Sequence, residues 1–497
     1  MSNSFTALDV IVLIAYLAGT TALGIYLGRN QKDAKDYFVA GHRIPWWAVL
    51  FSIVATETSA LTVISIPGLA YVGNLGFLQI AAGYIVGRVV VAFTLLPRYY
   101  QGNLVTAYAL LEQRFGMETR RFASVVFMVT RALADSVRIA ATAIPIALII
   151  GPVVPPELLK PVAILVLGGL TLIYTYHGGV RAVVWTDVAQ TCVYLIGGIA
   201  AVVILSHGVP GGWSTIFAKA GAAGKFHAID LYTGFDRPHT LFAGLIGGAF
   251  LSMASHGADQ VIVQRLMAAS SLRDAQRALI GSGIAVFLQF SLFLVIGAGL
   301  WVYLDARTFP TPDKIFPTFI ITAMPTGLIG LLIAAILAAT MSAHSGAINS
   351  LAASTVHDIY LPITGRDPND RRTLRVAKFA SLAWGVALLA MALAYPSNQG
   401  TPVVEVALSI ASFTYGALLG GFGLGLLWKR ARQRDAITGM AVGIVVMGVV
   451  VFAKQLTPFW PALTPIGTIA WPWYVLIGTL VTMGVGMLTS LLPHRST

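Results

Sequence analysis

Apolar runs long enough to cross a bilayer recur thirteen times along this chain, separated by charged or Pro/Gly-rich breaks. They lie near residues 8–28, 45–72, 76–97, 122–151, 159–177, 184–207, 240–264, 276–304, 326–356, 373–395, 402–428, 436–453 and 471–492. A helix needs about 20 apolar residues to span the hydrocarbon layer. Backbone groups cannot stay unpaired in lipid, so such runs predict an all-α membrane bundle. Continuous runs, rather than short alternating segments, exclude a β-barrel. Composition agrees, with 57% hydrophobic and only 10% charged residues in 497; a soluble domain carries about 25% charged. The single cysteine, Cys192, lies inside an apolar run and excludes an intramolecular disulfide. The first run has no basic residues before it and is too long for a signal peptide, so it reads as a retained helix.

Basic residues concentrate in cytoplasmic loops. With the N-terminus outside and the spans alternating, inside loops hold 22 Lys and Arg and outside loops hold 7. This predicts thirteen spans, N-terminus out and C-terminus in. The net charge of +12 is then an orientation signal, and no nucleic-acid partner is expected. Segment 305–325 reads as an amphipathic surface helix.

The remaining basic residues, Arg88, Arg131 and Arg138, fall within spans, as do Glu57, Asp135, Asp187 and Asp259. Ionisable groups at membrane depth are costly and mark pathways or sites. Arg131, Asp135 and Arg138 share one helix face, where they can form an internal ion-pair ladder. One carboxylate cannot neutralise two guanidinium groups, which leaves one Arg for another anion. The second span carries Ser52, Thr56, Glu57, Thr58, Ser59 and Thr62, then Pro67 and Gly68. The seventh carries Gly244, Gly247, Gly248, Ser252, Ser255, His256 and Gly257. Both read as discontinuous helices whose freed backbone groups bind a solute or ion at mid-bilayer. They stand five spans apart, as inverted repeats require. The competing reading is small and polar residues at helix contacts. On the ninth span Ser342, Ser345 and Asn349 recur at i, i+3 and i+7. That stripe suits either a small cation, with Asp187 supplying charge, or a helix-packing seam.

Four motifs carry a family resemblance: DYFVAG at 36–41, GGVRAVVWTD at 178–187, DQVIVQR at 259–265, and INS at 348–350 with HDIY at 357–360. Together they resemble the sodium/solute symporter family from about residue 8 to 430. The resemblance implies a LeuT-like 5+5 inverted repeat. Its parts are a leading helix in 1–30, a first repeat in 45–207, an extracellular loop in 208–239, a second repeat in 240–428 and two peripheral helices in 435–497. It places a sodium ion on backbone oxygens of Ala55, Thr58 and Ala339 and on the Ser342 hydroxyl. The next position, usually a hydroxyl, is Ala343. Members with a second sodium site use an aspartate and further serines; Asp187 and Ser345 match, while Gly346 replaces a serine. One intact sodium site is therefore implied. The implied solute cavity is lined by Glu57, Ser59, Thr62, Phe77, Gln79, Arg138, Ser252, Ser255, His256, Leu408 and Phe413. Arg138 stands near a position that holds a substrate carboxylate in the family's sialic acid transporters, where a bidentate pair is the natural recognition element. Glu57 has three roles open to it: pairing with a substrate amine, sitting against Arg138, or carrying a proton.

The expected function is secondary active symport by alternating access in the plasma membrane. Inward sodium movement drives uptake of a small carboxylated or zwitterionic solute, with no organic cofactor, and with solute and bilayer as the expected partners. Proton coupling through Glu57 or Asp187 is the alternative. A membrane enzyme rests only on the H-x-x-D look of His256 and Asp259, without clustered His, Cys or carboxylates beside it. A channel lacks a visible pore loop or charged ring.

Overall fold

The computed structural model describes residues 5–27, 44–58, 60–101, 104–141, 146, 154–368, 370–395 and 403–492. The 36–41 motif and Ser59 lie outside them. The described residues form helices and no strand, with one isolated bridge between Ile44 and Ala269.

The main helices are α1 (Ala7–Leu27), α2 (Trp46–Glu57), α3 (Ala60–Val72), α4 (Leu78–Phe93), α5 (Ala109–Phe115) and α6 (Met117–Ala141). After them come α7 (Pro156–Gly208), α8 (Gly212–Ala222), α9 (Gly248–Gly257), α10 (Gln260–Met267) and α11 (Leu272–Tyr303). The chain continues with α12 (Ile315–Ala323), α13 (Leu328–Ser354), α14 (Arg371–Ala394), α15 (Val403–Leu427), α16 (Gln433–Leu456) and α17 (Trp473–Leu491). Among the described residues eight helices are long and apolar enough to cross a membrane, or nine when the bent pair α2–α3 counts as one span. Helix α6 is absent from that set, and it is the helix that carries Arg131, Asp135 and Arg138.

Helix α2 ends at Glu57, and α3 leaves at 58° to it. Thr58 takes φ −84°, ψ 60° and its N–H bonds back to Val54 O at 2.7 Å. Hydroxyl side chains compete for backbone groups and weaken a helix, and this stretch concentrates them. The break leaves carbonyls of the last α2 turn without continuing helical partners.

The seventh segment breaks later than its glycines. A π-helical turn covers Ala243–Gly247, and α9 runs on to Gly257. The chain leaves the helix at Ala258, and Asp259 caps α10 by accepting from Val261 N at 2.8 Å. The glycines serve close packing instead. A Cβ on Gly83 would fall 2.2 Å from Gly244 O, and one on Gly248 would fall 2.6 Å from Ile80 O. That is the helix-contact role of small residues in membranes.

The expected fifth and sixth spans are one helical run, α7. Leu172 and Ile348 both touch the position of Gly385, while Asp187 contacts Ser342. Helix α13 is buried along nearly its whole length and forms the centre of the bundle, whereas α1 is mostly uncovered. The expected surface helix narrows to a 3-10 turn at Pro312–Lys314 and α12, whose apolar face is buried.

Candidate functional site

A cavity of about 80 Å³ opens where α2 breaks, between α6, α9 and α15. Of the expected solute residues, Glu57, Thr62, Phe77, Arg138, Ser255, His256 and Leu408 line it. Thr56, Tyr84, Arg131, Asp259, Phe290 and Tyr415 line it too, and sequence reasoning did not place them there. The aromatic members come from helices far apart in sequence, so no local pattern announces them.

Three expected residues are not on this wall. Gln79 Nε2 donates to the carbonyls of Gly76 (3.2 Å) and His239 (2.9 Å), and its Oε1 accepts from Asp230 N (3.1 Å). It fastens the 208–239 loop to α4. Ser252 donates to Tyr84 O at 3.0 Å, clamping α9 to α4. Phe413 faces α16, its ring 3.7 Å from where a Cβ on Gly448 would stand.

Glu57 pairs with Arg88, not with Arg138. Arg88 is fully buried, and its Nη1 donates to Ser282 Oγ at 2.6 Å. His256 Nε2 lies 3.7 Å from the same carboxylate oxygen, and Ser255 Oγ lies 2.8 Å from His256 Nδ1. A buried guanidinium needs a counter-charge, so Glu57 is already engaged.

On the opposite wall the expected ladder forms and gains a second carboxylate. Arg131 Nε donates to Asp135 Oδ2 at 2.6 Å, and its Nη1 lies 3.5 Å from Asp259 Oδ2. Tyr415 OH donates to that same Asp259 oxygen at 2.5 Å. Arg138 Nη1 stands 3.7 Å from Asp135 Oδ1, too far for a hydrogen bond. Its side chain is 19% exposed, against 6% for Arg131. Arg138 is therefore the guanidinium of this wall most open to an incoming anion.

The residues expected to hold sodium lie on α2 and its break, on α7 and on α13, three helices that pack on one another. Ala55, Thr58, Ala339, Ser342, Ser345 and Asp187 are all buried. Ser342 Oγ donates to Asp187 Oδ1, and Ser52 Oγ donates to Asp187 Oδ2 at 2.5 Å. Thr58 donates its hydroxyl to Gln289 Oε1 at 2.9 Å. Ser345 donates back to Ser342 O at 3.0 Å. Arg265, the last residue of the DQVIVQR motif, joins them. Its Nη2 lies 3.5 Å from Asp187 Oδ2, and its Nε donates to Ser52 Oγ at 3.0 Å. A Cβ on Gly346 would stand 2.7 Å from that Nη2. The missing serine is thus the room the guanidinium occupies.

Residues 37–443 match the sodium:solute symporter family. The chain belongs to that family. It is 31% identical over 495 residues to the sodium/sialic acid symporter NanT of Aliivibrio fischeri, covering 98% of this chain and 94% of the relative. It is 30% identical over 465 residues to the sodium/sialic acid symporter SiaT of Proteus mirabilis, covering 92% of each. A solved substrate-bound, outward-open Na+-coupled sialic acid symporter superposes with a TM-score of 0.86 at 29% identity, covering 98% of both chains. A nucleobase-cation-symport-1 family transporter shares the fold at 13% identity, with a TM-score of 0.57 over 93% of this chain and 96% of its own. As a sodium:solute symporter the protein is a multi-pass membrane transporter with sodium as its coupling ion, and these relatives are transporters rather than enzymes.

Proposed function

We propose that the protein uses the inward sodium gradient to take up a carboxylated sugar acid of the sialic acid class by alternating access. The observation that carries the reading is Arg138, a guanidinium on the cavity wall whose side chain is more exposed than that of Arg131. A guanidinium so placed can take an arriving carboxylate in a bidentate pair. The names of the NanT and SiaT relatives support the solute class.

The bundle crosses thirteen times with its N-terminus outside, and segments two to six and seven to eleven are inverted repeats. Sodium binds carbonyls of Ala55, Thr58 and Ala339 and the Ser342 hydroxyl, joining α2 to α13. Asp187 holds Ser342 in place, and Arg265 already balances its charge, so a single sodium is carried. A potential of 100 mV supplies about 2.3 kcal/mol per charge, roughly a 50-fold accumulation. Sodium couples only if it prefers the outward-facing state. The cavity, with room for about two or three waters, admits a sugar acid only when the surrounding helices part. Arg88 and Arg265 engage Glu57 and Asp187, which disfavours proton coupling through either carboxylate.

The test is uptake of labelled N-acetylneuraminic acid by the purified protein in liposomes. An inward sodium gradient should drive accumulation and a matched potassium gradient should not. Arg138→Ala should abolish it with the protein still monodisperse. Unchanged uptake in Arg138→Ala refutes the carboxylate assignment.

A further inference from the structure

A second concave site lies away from the solute cavity, at the end of the bundle that carries most of the basic residues. Its volume is about 640 Å³, and its walls are Arg114 and Phe115 from the end of α5, Lys429–Gln433 between α15 and α16, and Ser490 near the end of α17. Four of those residues are cationic and none is a carboxylate. Of the nearby acids, Glu112 pairs with Arg120, and Asp435 is buried and accepts from Arg432 N at 2.9 Å as a helix cap. Among the described residues Arg114, Lys429, Arg430 and Arg432 make no ion pair.

The site is built rather than incidental. Arg114 is pinned by the C-terminal carbonyls of α15, with Nη2 donating to Trp428 O at 3.1 Å and Lys429 O at 2.9 Å, and Nε to Gly425 O at 3.3 Å. Its guanidinium stacks 4.7 Å from the Phe115 ring centroid. Trp428 Nε1 donates to Ser490 Oγ at 2.9 Å, tying the loop to α17. Gly116, at φ 108°, lets Gln433 close over the chain, since a Cβ there would fall 2.2 Å from Gln433 Oε1. The first turn of the 24-residue α16 faces this space, and a helix N-terminus favours an anion.

The rim identifies the anion. Leu427, Leu488, Leu491 and Leu492 are large, exposed apolar side chains, each within two residues in sequence of the cavity lining. We propose that this hollow binds the phosphate headgroup of an anionic phospholipid, with the acyl chains lying along the leucines of α15 and α17. Basic pockets between helices on the cytoplasmic side recognise such headgroups. On the orientation proposed above, this end of the bundle is cytoplasmic.

The test uses the full-length protein, delipidated in detergent. Dioleoylphosphatidylglycerol, dioleoylphosphatidylcholine and inorganic phosphate are titrated separately, read by thermal melting and by retained lipid in native mass spectrometry. Each Lys or Arg near a charged headgroup contributes about a fivefold factor in affinity. The K429Q/R430Q/R432Q variant should therefore bind phosphatidylglycerol about a hundredfold more weakly. R371Q/R372Q/R375Q, an equal charge change elsewhere, should bind like the parent. If the triple variant does not fold, R430Q/R432Q carries the same comparison. The proposal falls if phosphatidylcholine binds the parent equally well, or if both variants lose phosphatidylglycerol alike. It also falls if inorganic phosphate alone reproduces the stabilisation, because the ligand is then a free anion.

Discussion

Arg265 Nη2 stands 3.5 Å from Asp187 Oδ2, in space that any side chain at Gly346 would need. By the family resemblance Gly346 is a lost oxygen ligand. The geometry makes it a gained cation site for a residue of the protein itself. The guanidinium stands beside Asp187, the aspartate at which the family resemblance implies a second sodium site, and unlike an ion it cannot leave.

The first prediction concerns stoichiometry. With one place filled by Arg265, sodium activation of uptake should be hyperbolic, with a Hill coefficient of about 1, and charge movement should match a single sodium per solute. Gly346→Ser pushes a side chain to 2.7 Å from the guanidinium and should lower uptake rather than add a sodium. A sigmoidal sodium curve in the parent contradicts the assignment.

The second prediction separates structure from proton coupling at Glu57. Arg88 is fully buried and Glu57 is its counter-charge. Removing one partner of such a pair costs about 3–5 kcal/mol. Glu57→Gln should lower the melting temperature sharply, and Arg88→Gln should do the same. The double variant should be less destabilised than the two losses added together, a coupling that a double-mutant cycle measures. Additive losses would mean that the two side chains act independently.

Much of the scaffold was legible because length and hydropathy act locally. The helical segments, and the break in the second span at its hydroxyl cluster, follow from residues adjacent in sequence. Partner choice did not follow. Glu57 had a visible candidate in Arg138, yet it pairs with Arg88 of the neighbouring helix α4. The Arg131–Asp135 pair was readable at i, i+4, but Asp259 joins it from another helix across a long sequence gap. The glycines at 244–248 carried two readings, and only the facing backbone of α4 decides for contact. Local pattern reports the period of an element; which helix stands opposite is set by tertiary packing.

The third prediction is a pH dependence in the 304–327 connection. Asp313 accepts from Ser65 Oγ at 2.5 Å and from Val403 N at 3.2 Å, bridging α3 and the start of α15. Burial holds its carboxyl above the ordinary value of 3.8, outweighing the hydrogen bonds that lower it. The folded protein therefore binds this proton more tightly than the unfolded chain does. Stability from this group is full below 3.8 and is lost as pH rises toward the raised value. Asp313→Asn removes this titration, so the stability of the parent relative to the variant should be greatest in acid. The gap should narrow toward neutral pH, visible as a flatter dependence of melting temperature on pH. Parallel curves for parent and variant would exclude Asp313 as the source.

The fourth prediction tests Gln79 as a fastener rather than a solute ligand. Its amide makes two bonds that tie α4 to residues 230 and 239 of the loop, and a third to Gly76 O. Neutral hydrogen bonds contribute about 0.5–1.5 kcal/mol each. Gln79→Ala should therefore lower the local opening free energy of the loop by about 1–3 kcal/mol. Deuterium uptake across residues 226–240 should quicken by roughly ten- to a hundredfold, with exchange in α13 unchanged. The solute affinity should fall less than in Arg138→Ala, because Gln79 lies off the cavity wall and acts through the loop. Unaltered exchange together with abolished binding would return Gln79 to the list of direct solute contacts.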